Sequence, residues 1–100
     1  MSRSKPILLD FTAKWCSTCR VLDLMIEKHI RPKYKDEVKF VKIDINEHED
    51  LTEKYDILSI PTLILCTHDG EEMWRSAGHI DVDKIKEKLD RYLSVKKGSG

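Results

Sequence analysis

The stretch LLDFTAKWCSTCR, residues 8–20, joins an apolar segment to two cysteines three positions apart. Its start, preceded by Ile7, is a short apolar run typical of a strand buried on both faces. After the cysteines, apolar residues and one histidine recur every three or four positions, at Val21, Leu22, Met25, Ile26, His29 and Ile30. This spacing predicts an amphipathic helix from about Ser17 that ends before Pro32. The cysteines therefore lie between a buried strand and a helix.

A C-x-x-C pair can bind a metal, form a structural disulfide or cycle between dithiol and disulfide. Zinc normally needs four ligands, and the remaining candidates are scattered along the chain at Cys66, His29, His48, His68 and His79. A structural disulfide across so short a loop would constrain the unfolded chain little. At a helix N-terminus, however, Cys16 would be an exposed thiol favoured as thiolate, and Cys19 a shielded resolving thiol. Reversible exchange is the favoured interpretation.

Two further residues support exchange chemistry. Asp10 interrupts an apolar strand, which predicts a side chain buried beneath the cysteines; the alternative is an aspartate at a strand edge that points to water. A buried carboxyl has a raised pKa and could take and return the proton of Cys19. Pro61 directly precedes an apolar segment, either as an ordinary strand-start residue or as a cis proline with a specified geometry.

The rest of the chain predicts the order β-α-β-α-β-β-α. Residues 38–45 alternate and carry charges, which indicates an edge strand, and Asn46 resembles a helix start. Residues 62–66 form a further strand, and a turn at residues 68–70 closes a hairpin onto residues 72–76. Asp81 caps the last helix. The first two strands should be parallel and the closing hairpin antiparallel.

Composition indicates one domain, which we place at residues 1–95, with 96–100 as a flexible tail or an engineered remnant. Eighteen basic residues balance eighteen acidic ones, which argues against nucleic-acid binding and against an anionic membrane patch. No apolar run approaches the roughly 20 residues that span a bilayer. The N-terminus does not read as a signal peptide, and three cysteines are too few for a disulfide scaffold.

Together these segments resemble the thioredoxin superfamily. LLDFTAKWCSTCR is similar to the active-site strand and helix, IPT (60–62) to the cis-proline loop, THDGEEM (67–73) to the closing hairpin and SAGHI (76–80) to the glycine loop. The resemblance runs from about Pro6 to Leu93. It implies an α/β thioredoxin-like fold with a four-stranded mixed sheet and helices on both faces, without the family's extra N-terminal strand and helix.

By this resemblance Cys16 is the nucleophile, Cys19 the resolving thiol, Asp10 the buried acid and Lys42 its neighbouring lysine. The residues that match the family's substrate-gripping surface are Trp15, Ile60, Pro61 and Gly78. The resemblance implies a monomeric protein disulfide oxidoreductase without metal or organic cofactor. Its expected partners are disulfide-containing proteins and a thioredoxin reductase or other electron donor, but neither nucleic acid nor membrane.

Several features leave alternatives open. Ser17-Thr18 replaces the family's Gly-Pro between the cysteines, which affects the redox potential. The features in which this chain differs from thioredoxin also resemble a thioredoxin-like domain of a bacterial membrane electron transporter. We therefore expect a cytoplasmic protein or, alternatively, a periplasmic domain of an exported or membrane protein. A non-catalytic interaction module with this fold is the rival function. Cys66 is interpreted as a buried small hydrophobe rather than a regulatory thiol.

Overall fold

A computed structural model of the chain describes residues 4–98. Its strands are β1 (Ile7–Thr12), β2 (Lys39–Asp44), β3 (Thr62–Cys66) and β4 (Glu72–Ala77). Its helices are α1 (Ser17–Met25), α2 (Arg31–Tyr34), α3 (Glu49–Lys54) and α4 (Val82–Gly98), and a π-helical turn (Ile26–Ile30) joins α1 to α2. None of the helices within residues 4–98 is both long and apolar enough to cross a bilayer. The predicted element order is confirmed.

The four strands form one mixed sheet in the order β2-β1-β3-β4. β1 pairs with β2 in parallel and with β3 in antiparallel fashion, and β3 and β4 form the closing antiparallel hairpin. The strand over residues 39–44 is at an edge, as its charges predict. The four-stranded mixed sheet expected from the sequence is therefore the observed one.

Helices cover both faces of the sheet, and β1 alternates between them. Leu8 packs with buried residues of α1, the π-helical turn and α4, whereas Leu9 and Phe11 pack with residues of β2, β3 and the α3 side, including Tyr55. Because successive strand residues point to opposite faces, Asp10 shares the face of Leu8. The strand therefore aims its single acidic side chain at the helix that carries the cysteines.

The helix after the cysteines does not end before Pro32, so that prediction is wrong. The chain continues from α1 through the π-helical turn into α2, and the N–H of Arg31 bonds to the carbonyl of Ile26, five residues earlier. This change of register places Pro32 in the first turn of α2. A proline there costs no backbone hydrogen bond, because first-turn N–H groups have no partner within the helix.

Two other details of the helices differ from the sequence prediction. Val21 and Met25 were expected on the apolar face of α1 but are exposed. The helix near Asn46 begins only at Glu49, because the N–H of Asn46 instead bonds to the carboxylate of Asp44 in a turn.

The last helix begins as predicted. Asp81 accepts a hydrogen bond from the N–H of Asp83 at 2.9 Å, which satisfies one of the unpaired donors of the first turn. Ile85 and Leu89 then bury one side of α4 in the core. The helix runs on to Gly98, so it includes residues 96–98 of the proposed tail, whose last two residues lie outside the described range.

Candidate functional site

The cysteine pair lies at the start of α1. Cys16 is the N-cap residue, and Cys19 is one turn inside the helix. Their sulfurs form a disulfide with the two Cα atoms 5.3 Å apart. Cys16 keeps 7 % of its surface exposed, whereas Cys19 keeps none. The asymmetry between an accessible and a shielded thiol is therefore present, although Cys16 is less exposed than the sequence suggested.

The Cys16 sulfur lies among groups that stabilise negative charge. It accepts a hydrogen bond from the N–H of Cys19 at 3.2 Å, and the hydroxyl of Thr18 is 3.3 Å away. A thiolate here would also lie at the positive end of the α1 dipole. The contact of Thr18 was not predicted as a site interaction, although its place between the cysteines marked it as relevant to the redox potential.

Asp10 is buried, as the apolar flanks predict, with 8 % of its surface exposed. Burial raises its pKa to about 8, and the negative charge of Asp23 acts in the same direction, partly opposed by Lys42. Asp23 is four residues after Cys19, and residues four apart lie on one face of a helix. Asp10 therefore lies against the face of α1 that includes the resolving cysteine.

Lys42 is the register partner of Asp10 on β2, which agrees with its predicted position beside the buried acid. Its ammonium group, however, lies 3.3 Å from the carboxylate of Asp23. Lys42 therefore forms an ion pair with Asp23 and is also the strand neighbour of Asp10. Asp23 is a candidate site residue that sequence reasoning missed, because an acid in a helix is ordinarily a solvated surface residue.

The predicted substrate residues lie mostly along one groove. The Ile60–Pro61 peptide bond is cis, and the N–H of Gly78 bonds to the carbonyl of Pro61 at 3.1 Å. These three residues line the groove together with Ser17 and Thr18, which brings the cis-proline loop, the glycine loop and the cysteine helix together.

The groove also continues along α1, past the exposed Val21 and Met25. The groove is therefore apolar at these two positions. Trp15 directly precedes Cys16 and is 69 % exposed, but it is not among the residues that line this groove.

The third cysteine is remote from exchange chemistry. Cys66 is a free, fully buried thiol on β3, its sulfur 3.9 Å from the hydroxyl of Tyr55, and burial raises its pKa. This agrees with its interpretation as a small core residue. Within residues 4–98 no cluster of three or more histidine, cysteine or acidic side chains is placed to hold a metal ion.

Comparisons with known proteins agree on one family. The thioredoxin family model matches residues 1–91. Thioredoxin 1 of Synechococcus elongatus is 33% identical over 93 residues, which cover 93% of this chain and 85% of that protein. Thioredoxin of Bacillus subtilis is 33% identical over 87 residues, 87% of this chain and 82% of that protein.

Solved structures show the same likeness. A germline-specific thioredoxin of Drosophila melanogaster superposes with a TM-score of 0.79 at 30% identity, over 88% of this chain and 81% of that one. A mutant thioredoxin of Halobacterium salinarum gives 0.76 at 30% identity, over 89% and 75%.

Proposed function

Since this chain belongs to the thioredoxin family and is a protein thiol–disulfide oxidoreductase, we propose that Cys16 attacks and Cys19 resolves. The observation that carries this assignment is the position of the Cys16 sulfur at the N-cap of α1, where it accepts the N–H of Cys19. These contacts favour Cys16 as thiolate, the form that attacks disulfides. The complete burial of Cys19 suits a thiol that reacts only within the protein.

In the proposed reaction the Cys16 thiolate attacks one sulfur of a substrate disulfide and forms a mixed disulfide, and the other substrate sulfur leaves and takes up a proton. Cys19 then gives up its proton and attacks the Cys16 sulfur, which breaks the mixed disulfide and releases the second substrate thiol. The substrate has gained two electrons and the protein holds its disulfide. A dithiol donor, which we propose to be a thioredoxin reductase, returns the pair to the reduced form.

Asp10 is the group that we propose takes the proton of Cys19. A proton acceptor is most effective when its pKa is close to the working pH, and burial raises the pKa of Asp10 to about 8. Its position on the sheet face below α1 supports this role. Lys42, opposite Asp10 on β2, limits the increase by its positive charge.

The substrate chain is proposed to lie across the groove beside the cysteines. Ile60 packs against the cluster of Cys16 and Cys19, and Pro61 and Gly78 continue the same surface. An extended peptide could pair with the backbone at Ile60, as peptides do at exposed strand edges. Trp15 would contact the substrate from the exposed loop before Cys16.

We also propose that the protein acts as a reductant in the cytoplasm. Cellular thiols are kept reduced there, which fits the free thiol of Cys66.

The test is the reduction of a model protein disulfide by dithiothreitol. Wild-type protein and the control Cys66→Ala should accelerate it, whereas Cys16→Ser should not. Cys19→Ser should instead accumulate a mixed disulfide through Cys16, detectable by mass spectrometry after proteolysis. Wild-type activity no greater than that of Cys16→Ser would refute the catalytic proposal. A mixed disulfide on any other cysteine would refute the assignment of the nucleophile.

A further inference from the structure

A small cavity lies on the inner side of α1, away from the substrate groove. Its volume is about 50 Å³, and it lies between the helix and the neighbouring strands β1 and β2. Asp10, Asp23 and Lys42 contribute its polar lining, and Leu8, Ile26 and Phe40 are among its apolar lining residues. A water molecule needs roughly 10–15 Å³ measured in this way, so the cavity can hold water beside the two carboxyls.

Two of the acids that line this cavity each have a buried carboxylate oxygen without a donor. The Oδ1 atoms of Asp10 and Asp23 have no hydrogen-bond partner in the part of the chain that the structure describes. The other oxygen of Asp23, Oδ2, lies 3.3 Å from the Lys42 ammonium group. Ionised carboxylates only accept hydrogen bonds, so the two acids satisfy each other only when one of them carries a proton.

The remaining groups around the cavity do not supply that proton. Glu27 and Arg31 also line it, but they form an ion pair with each other at 3.2 Å and are half exposed. On the other neighbouring strand, β3, the residue opposite Asp10 is the apolar Leu63. Lys42 provides one positive charge for two acids, so one negative charge is balanced and the second is not.

We propose that Asp23, which lines this cavity beside Asp10, is a positioning residue whose negative charge sets the pH at which Asp10 exchanges a proton with Cys19. This inference rests on the proton-acceptor role proposed for Asp10. At neutral pH the two carboxyls together hold one proton and one negative charge, and Lys42 balances that charge. When Cys19 attacks, its proton passes to the ionised form of Asp10, and Asp23 remains paired with Lys42.

Two features of the site support this role. Burial and the negative charge of Asp23 both raise the pKa of Asp10, as expected for a buried carboxyl beside a like charge. Asp23 also lies one helical turn beyond Cys19, so its charge is held on the helix face of the thiol that must lose its proton.

The experiment is a carbon-13 NMR titration of the aspartate carboxyls in the oxidised protein, combined with the pH dependence of model-disulfide reduction. Asp23→Asn should lower the titration midpoint of Asp10 by about one pH unit or more, because it removes the negative charge that opposes ionisation of Asp10. Lys42→Met should move the midpoint upward. Glu27→Gln, which removes a paired acid from the same cavity, should leave it unchanged. The ascending limb of the rate profile should follow the Asp10 midpoint in each variant.

Three results would overturn the inference. One is an Asp10 midpoint in Asp23→Asn that equals that of the wild type. A second is an equal shift in Glu27→Gln, because the effect would then be general electrostatics. A third is a shifted midpoint with an unchanged rate profile. Failure of the proposed function looks different: Asp10 would respond to Asp23→Asn as expected while Cys16→Ser retained wild-type activity.

Discussion

Replacing Asp10 with asparagine should stabilise the folded protein, and the gain should depend on pH. The ordinary pKa of an aspartate is 3.8, and in the folded protein burial raises that of Asp10 to about 8. The folded state therefore holds a proton that the unfolded state has lost. Stability is greatest below about pH 3.8, decreases as the pH rises, and levels off above about pH 8. Asparagine cannot ionise, so the variant lacks this decrease.

The two pKa values determine the size of the effect. Each pKa unit corresponds to about 1.4 kcal/mol, so at pH 7 the ionisation of Asp10 costs the wild type roughly 4 kcal/mol relative to a permanently neutral side chain. The buried amide of asparagine also needs hydrogen-bond partners, which costs about 1–2 kcal/mol. We therefore expect Asp10→Asn to be more stable than the wild type by about 2–3 kcal/mol at pH 7. The difference should vanish or reverse near pH 4.

The assay is urea unfolding of the oxidised protein at several pH values from about 4 to 9, where the disulfide prevents Cys16 and Cys19 from titrating. The measured quantity is the unfolding free energy of the variant minus that of the wild type at each pH. Asp36→Asn, the same substitution at an exposed position, is the matched control and should show a constant difference near zero. A constant difference in Asp10→Asn would refute the raised pKa, and an equal slope in Asp36→Asn would show that net charge alone is responsible.

Two further substitutions test the groove side of the site. Thr18→Val removes the hydroxyl 3.3 Å from the Cys16 sulfur, and the loss of about 0.5–1.5 kcal/mol of thiolate stabilisation should lower the redox potential by about 10–30 mV in a glutathione equilibration. The control Thr52→Val should leave it unchanged, and an unchanged potential in Thr18→Val would contradict the role of the hydroxyl. Gly78→Ala should cost about 1–2 kcal/mol in urea unfolding, because φ is 78° while the added methyl meets no atom within 4 Å. An unchanged unfolding free energy would show that the loop relaxes freely.

Much of the fold follows from short-range patterns in the sequence. The apolar run at Ile7 predicts a central strand because such strands are covered on both faces, and β1 is indeed flanked by β2 and β3. The cap at Asp81 is equally local, since it needs only a carboxylate two residues before a free N–H. Features of this kind depend on neighbours along the chain, which a single sequence shows directly.

The prediction that the helix ends before Pro32 is wrong because the helical register changes there. Pro32 normally ends a helix, but the π-helical turn before it shifts the hydrogen bonds so that no donor is required at that position. Asp23 was missed for a related reason. Helical periodicity places it on the face of Cys19, but only the packing of α1 over β1 and β2 shows that this acid meets Asp10 and Lys42.

Helix α1 carries the residues of disulfide exchange and the residue proposed to tune proton transfer at different positions. Its N-terminal end carries Cys16 and Thr18 beside the groove, whereas Asp23, in its second turn, lines the small cavity. Cys19 lies between the two ends and is the only one of these residues that must exchange both an electron pair and a proton in the resolving step. Changes in the groove should therefore alter potential and substrate contact, while changes in the cavity should alter the pH at which resolution is fast. Because Thr18 lines the groove and Asp23 lines the small cavity, substitutions at the two positions test these properties separately.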